Sequence, residues 1–529
     1  MSKFTHDRRR RFLVRGGVPA VVTVALLGAA AAVATSSWSA SALPAPTTTA
    51  VPLPASITGV EFPSWTEDGS RIVAAARSTD FGGTQLVTFT ETGADLRCLT
   101  CAAWPTGEPP LLKSFPFADG RRILVRIGEQ TEAVSADHGV VECTPSVTDC
   151  RSAVVVPIVA PGGTDPNVVQ DQREYRVAPD GRHVGLTQLR RSVTGRLVLT
   201  GIVGELVRGP TAYEVADARV VETGGEVKGF TPDGRSVLFT RYFRGTEAAN
   251  PDDYAVDLAT GRERRVTYFS DWDEDLDLSP RQNWMVVGSA RGTGTMETVA
   301  QVRRPSAIDA GIGTLSLRVF SNRLPERAEP WLVATAAERA REPGVLLTPG
   351  ALADGWDARP NFLWKPDGSA IVYWQRRTTG TGSRVAVTRL GRAPEKVAPP
   401  ATTPTSAWAA PVVGFVPPDP AAPTGRPGRR TGQMTVIESP STVAGYDTLL
   451  EVSYRNFSDE AGFVINGVER ALVSGVGTVR ERSLYSADLV VSGRHSGYLR
   501  ATEVAIGPTG VVGTIESDLD GRRLTLTRP

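Results

Sequence analysis

The sequence predicts an all-β chain, a six-bladed β-propeller followed by a small antiparallel β domain. Three observations predict it. A phrase made of an aromatic or apolar residue, a Pro-Asp-Gly-like turn and an apolar strand recurs six times. Its turns, centred at 68, 119, 180, 233, 281 and 367, stand 51, 61, 53, 48 and 86 residues apart, room for one four-stranded blade each. A Pro-rich stretch then gives way to a second set of alternating apolar runs.

The six copies span residues 65–73, 117–125, 177–184, 230–239, 278–287 and 364–372. Proline presets φ for the turn and Asp-Gly tolerates positive φ, so each phrase joins two antiparallel strands. The fifth copy, Ser279-Pro280-Arg281-Gln282, has lost its Asp-Gly. A second phrase, at 92–100 and 260–267, sets a Thr-Gly turn before a short outer strand, and 254–258 supplies the strand ahead of it. The wide fifth interval reads as an insertion between Arg303 and Asn361, whose Ala-rich 330–342 forms one short helix outside the sheets. Together these phrases resemble the TolB-like six-bladed propellers, over about residues 56–417. The resemblance implies a fold and leaves activity open, because propellers host unrelated functions. The amino-terminal α/β domain of TolB has no counterpart here, so only the propeller carries over.

Outside the repeats, residues 1–42 read as an export signal: Lys3, Arg8 to Arg11 and Arg15, an apolar run over 18–34, then Ala40-Ser41-Ala42. Arg9-Arg10-Arg11-Phe12-Leu13-Val14 resembles the twin-arginine motif of the bacterial Tat pathway, which implies export of a folded chain to the cell envelope or medium. A plain secretory signal is the other reading, and if the apolar run is retained it makes a short membrane anchor. Residues 43–55 read as a short linker. Residues 418–432 read as a Pro- and Arg-rich linker, and within the stretch before it 412–416 is a candidate strand to close the ring. Residues 433–529 form the carboxy-terminal β domain, with hairpin turns expected at Asn466-Gly467 and Asp520-Gly521.

Four cysteines, Cys98, Cys101, Cys143 and Cys150, lie in one quarter of the chain. An even count in an exported chain points to disulfides, with local pairing of 98 with 101 and 143 with 150 as the simplest of three connectivities. Cys98 and Cys101 are followed by Ala102 where haem attachment needs His, and a second Cys-x-x-Cys is missing, so haem and zinc readings fail.

The 58 basic residues nearly cancel the 57 acidic ones, so charge nominates neither nucleic acid nor anionic lipid as a partner. Neither a G-x-S-x-G elbow nor a Walker or dinucleotide glycine pattern is present. The three histidines beyond the signal, His138, His183 and His495, are scattered and read as surface or loop residues.

Two groups of residues remain as site candidates. In a propeller the connection entering each inner strand opens near the central channel, which places Glu61, Lys113, Arg173, Glu174, Glu226, Lys228 and Arg359 around one mouth as a ring of mixed charge for a ligand. Immediately before the fifth phrase, Asp271, Asp273, Asp275 and Asp277 alternate; on an extended strand they point the same way and suit a hard cation such as calcium. A solvated acidic loop paired with arginines is the competing reading. The sequence thus favours a non-catalytic binding or scaffold protein facing an unidentified envelope protein or extracellular ligand. The alternative is a secreted propeller enzyme, a metal-dependent hydrolase or lactonase working at an acidic channel mouth.

Overall fold

The computed structural model describes residues 45–129, 136–242, 247–308, 328–392, 394, 400–419, 422–475, 481–507 and 510–528. The expected export signal, 1–42, lies outside the described residues.

The first strand, β1 (Thr47–Ala50), belongs to the last blade. The first blade is β2 (Ile57–Trp65), β3 (Ile72–Ser78), β4 (Thr84–Phe89) and β5 (Arg97–Cys98). The second is β6 (Leu111–Pro116), β7 (Arg122–Ile127), β8 (Asp137–Pro145) and β9 (Cys150–Val159), and the third β10 (Val168–Val177), β11 (His183–Arg191), β12 (Leu197–Arg208) and β13 (Tyr213–Thr223). The fourth is β14 (Gly225–Phe230), β15 (Ser236–Arg241), β16 (Asp252–Asp257) and β17 (Glu263–Arg265). The fifth runs β18 (Asp273–Leu278), β19 (Trp284–Ser289), helix α1 (Glu297–Ala300), β20 (Glu329–Ala334), helix α2 (Thr335–Glu338) and β21 (Val345–Leu346). The sixth has β22 (Trp356–Trp364), β23 (Ala370–Arg377) and β24 (Ser383–Arg389), and β1 pairs antiparallel with β24 as its fourth strand, Thr48 opposite Thr388.

The turn phrase does what its chemistry predicts. In each complete copy the Asp side chain accepts a backbone N–H two residues on, as Asp68 does from Ser70 at 3.0 Å and Asp180 from Arg182 at 2.9 Å. The following glycine takes positive φ, between 65° and 71° in the five copies that keep it. In the degenerate fifth copy Gln282 adopts φ 58° instead.

Each pair of neighbouring blades shares its own buried core. Val60, Trp65 and Ile72 of the first blade pack with Val372 and Val387 of the sixth, and the remaining five interfaces are filled in the same way. The innermost strands β2, β6, β10, β14, β18 and β22 contact one another in sequence around the axis, and β22 returns to β2. The ring is therefore closed, as a propeller requires.

Three expectations are corrected. The closing strand is β1, inside the stretch expected as the 43–55 linker. Residues 412–416 instead follow β25 (Ala410–Pro411), which pairs with β13, and Arg190 donates to the Phe415 carbonyl at 2.7 Å. The insertion in the fifth unit falls between β19 and β20, because 329–334 is a blade strand and only Thr335–Glu338 is helical. Blades two and three also join through a short parallel bridge, Tyr213 opposite Ile158.

The carboxy-terminal domain is an eight-stranded antiparallel meander, β26 (Arg426–Pro427), β27 (Thr431–Pro440), β28 (Thr448–Glu460), β29 (Phe463–Ser474), β30 (Arg482–Gly493), β31 (Gly497–Gly507), β32 (Gly510–Leu519) and β33 (Arg522–Arg528). It begins within the expected 418–432 linker. The Asp520-Gly521 turn forms as expected, but Asn466-Gly467 lies inside β29 and the hairpin turns at Ala461-Gly462. One face of the sheet is buried, and the residues that fill it come partly from elsewhere: Met296, Val299, Val302 and Ile308 of the fifth-blade insertion join Leu450, Tyr485, Leu489 and Ile515 in one core. Arg304 enters with them, fully buried, its Nε 3.0 and 2.9 Å from the two Glu469 carboxylate oxygens, which also accept from the Tyr454 and Tyr485 hydroxyls at 2.8 and 3.0 Å.

Candidate functional site

Every innermost strand is interrupted at the same place. Register shifts fall between Glu61 and Ser64, Leu112 and Phe115, Arg173 and Arg176, Val227 and Gly229, Glu274 and Asp277, and Arg359 and Leu363. At four of the six, a non-glycine residue has positive φ: Phe62 at 50°, Lys113 and Glu174 at 49°, and Asp275 at 57°. A bulge re-aims the side chain it carries, and here the interruption is repeated on all six innermost strands.

The result is a chain of ion pairs across blades two to five. Lys113 pairs with Glu174, which also accepts from Arg176 at 2.7 Å. Arg173 pairs with Glu226. Lys228 lies 2.8 Å from Glu226, 2.6 Å from Glu274 and 3.8 Å from Asp275. The Tyr242 hydroxyl sits 2.9 Å from carboxylate oxygens of both Glu226 and Glu274, and Trp272 Nε1 donates to Glu274 at 3.0 Å. Although burial opposes it, attraction to Lys113, Arg176 and Lys228 holds the Glu174 carboxyl well below its usual range. Glu226 is likewise drawn down to about 2 by Lys228 and Arg173 against the pull of burial. Burial works against the Lys228 charge, but Asp275, Glu226 and Glu274 outweigh it and push its pKa well up. Burial prevails at Lys113, which is lowered, and at Asp275, which is raised.

Five of the seven expected channel residues, Lys113, Arg173, Glu174, Glu226 and Lys228, are thus brought together. The other two stand apart: Glu61 pairs with Arg77 at 3.1 Å and Arg359 with Asp357 at 3.3 Å. That side of the mouth is aromatic, with Phe62 and Trp374 at 5.2 Å between ring centres. Sequence reasoning missed Arg176, Glu274, Tyr242 and Trp272. Arg176 and Glu274 flank the bulges, so their contribution follows only from the register shift, which a regular alternation pattern cannot show.

The four aspartates of the acidic run do not converge, because the bulge at Asp275 destroys the alternation on which the calcium reading rested. Asp271 is buried and accepts the Trp272 N–H at 2.8 Å. Asp273 is buried against Arg291, at 3.0 and 2.7 Å, which in turn pairs with Glu338. Asp275 alone belongs to the ring. Asp277 reaches the sixth blade and accepts the Trp364 N–H at 2.8 Å; burial pushes its pKa up to about 7. Among the described residues no group of three or more His, Cys, Asp or Glu side chains is placed to hold a metal ion.

Of the histidines, His183 and His495 make local contacts with Asp180 and Asp520, at 2.6 and 2.7 Å. His138, expected at the surface, is buried between blades two and three. Both disulfides pair as expected, Cys98 with Cys101 and Cys143 with Cys150.

No family model matches the sequence, and no curated protein does either. Solved structures similar to the chain include TolB from Acinetobacter baumannii, at 14% identity and TM-score 0.34 over 62% of this chain and 65% of that one. A TolB of Agrobacterium tumefaciens follows at 15% and 0.32, over 55% and 80%. A gluconolactonase of Xanthomonas campestris stands at 13% and 0.35, over 66% and 90%. The chain therefore spans just under two thirds of the length of the first of these proteins.

Proposed function

We propose that this chain is an exported, non-catalytic binding or scaffold protein of the bacterial cell envelope or medium, which receives its partner on the charged mouth of the propeller axis. The observation that carries the reading is the pairing of the ring. General acid or base catalysis needs a group whose pKa lies near the working pH, and the interactions around Glu174, Glu226 and Lys228 drive these three away from it, while burial moves Lys113 and Asp275 the other way. A rigid, charge-compensated floor with both signs suits recognition of a polar surface. Export is supported by the two disulfides, which persist in oxidising compartments. Cleavage after Ala42 would leave β1 intact.

The test uses the whole chain, immobilised and offered envelope and culture-medium fractions. Glu61→Lys with Arg359→Glu, which inverts the open side of the mouth, is expected to abolish capture of the partner that the wild type retains, with far-UV circular dichroism confirming that the sheet content is kept. Equal capture by both proteins overturns the axial reading.

The alternative, a secreted propeller enzyme, has one observation in its favour: Asp275 sits in the ring with a raised pKa and positive φ. Turnover of a lactone or glycoside substrate that is lost in Asp275→Asn would select it.

A further inference from the structure

Next to the paired ring lies a group of buried polar atoms that have no hydrogen-bond partner among the described residues. Arg126 on β7 and His138 on β8 face each other across the sheet, and the His138 ring lies 4.6 Å from that of Tyr175 on β10. All three are more than nine-tenths buried, yet among the described residues Arg126 Nε, His138 Nδ1 and the Tyr175 hydroxyl each lack a hydrogen-bond partner. Buried polar groups are nearly always satisfied, so several left open together call for water, an ion or a ligand between them. The position is specific as well. Arg126 extends over the Phe62 ring, 5.6 Å from its centre, so the cluster lies beside the aromatic side of the mouth.

We propose that Arg126, His138 and Tyr175 form a carboxylate-binding subsite at the inner end of blades two and three. This deepens the binding reading above by naming the chemistry the mouth recognises. Arg126 and Tyr175 supply donors, and the Arg126 guanidinium holds the least compensated charge there, since its partner Glu129 is 3.7 Å away and largely exposed. A planar, singly charged carboxylate matches one guanidinium and one hydroxyl. A doubly charged phosphate meets Glu174, whose charge reaches His138 and Arg126. Burial and the Arg126 charge drop the His138 pKa to about 3, so the imidazole is neutral at physiological pH and acts as a hydrogen-bonding wall.

The test is calorimetric titration of the full chain with acetate and propionate, with their amides, with inorganic phosphate, and with a short peptide carrying a free or an amidated carboxy terminus. Carboxylates are expected to bind, with the amides and phosphate inert. Arg126→Gln weakens binding about tenfold, the scale of one charge-assisted hydrogen bond. Tyr175→Phe, which removes only the hydroxyl, weakens it severalfold and guards against a misfolded Arg126 variant. Preference for the free-ended peptide over acetate identifies a chain terminus as the source, and the reverse a small acid. Heat from no carboxylate up to tens of millimolar, or equal affinity in both variants, overturns the subsite and shows the open groups to be hydrated only. Partner capture through Glu61 and Arg359 does not require Arg126, so this failure is separable from failure of the axial reading.

Discussion

At Lys113 and Glu174 a left-handed backbone residue, an ion pair and a place beside the axis coincide, and the turn phrase makes that legible. The connection entering each inner strand, ahead of its Pro-Asp-Gly-like turn, opens near the axis, and that placement picks out Lys113, Arg173, Glu174, Glu226 and Lys228 from the sequence. Regular alternation does not hold through the acidic run, because the strand bulges at Asp275. Asp277 shows what that bulge costs. Its carboxyl is raised to about 7 in the folded chain from an ordinary 3.8, so the folded state binds the proton more tightly than the unfolded state. The resulting stabilisation is present at low pH and is lost as the pH rises through about 7. Asp277→Asn keeps an acceptor for the Trp364 N–H and removes the titration. The melting temperature of the variant is expected to gain on the wild type between about pH 5 and pH 8. His138, with a depressed pKa, opposes this trend in both proteins and cancels in the comparison. A constant difference across that range would show that Asp277 titrates normally.

Among the elements, β1 matters out of proportion to its four residues. It supplies the outer edge of the sixth blade, where Thr48 Oγ1 donates to the Leu347 carbonyl at 2.7 Å and lies 2.7 Å from Thr388 Oγ1, and Val51 behind it enters the core shared by the sixth and first blades. Its composition, Thr-Thr-Thr-Ala, carries no alternation and reads as linker; what selects it is the vacant edge of β24. A chain beginning at Leu53 exposes that edge. It is expected to melt several degrees lower and to be cut by protease within the sixth blade, whereas an unchanged melting curve would mean the ring holds without its clasp.

For the molecule as a whole, the six repeats were readable, while the dependence of the second domain on the first was not. Met296, Val299, Val302 and Ile308 have no local periodic partner, and their core is completed by strands more than a hundred residues later. The Arg304–Glu469 pair at its centre is fully buried. Breaking such a pair from one side costs about 3–5 kcal/mol, since it strands a charge, whereas replacing both ends with apolar residues is far milder. Arg304→Met is therefore expected to unfold the carboxy-terminal sheet at lower denaturant than Arg304→Met combined with Glu469→Leu. A double variant no more stable than the single one would contradict this account.

The clasp also sets an order of events. The strand that shuts the ring is the first part of the propeller to leave the ribosome, and its partner β24 ends at residue 389, so β1 stays idle until nearly three quarters of the polypeptide has been synthesised. Any pull applied through the amino terminus then falls directly on this one short strand, which makes the seam the place where the molecule would first be unzipped by force.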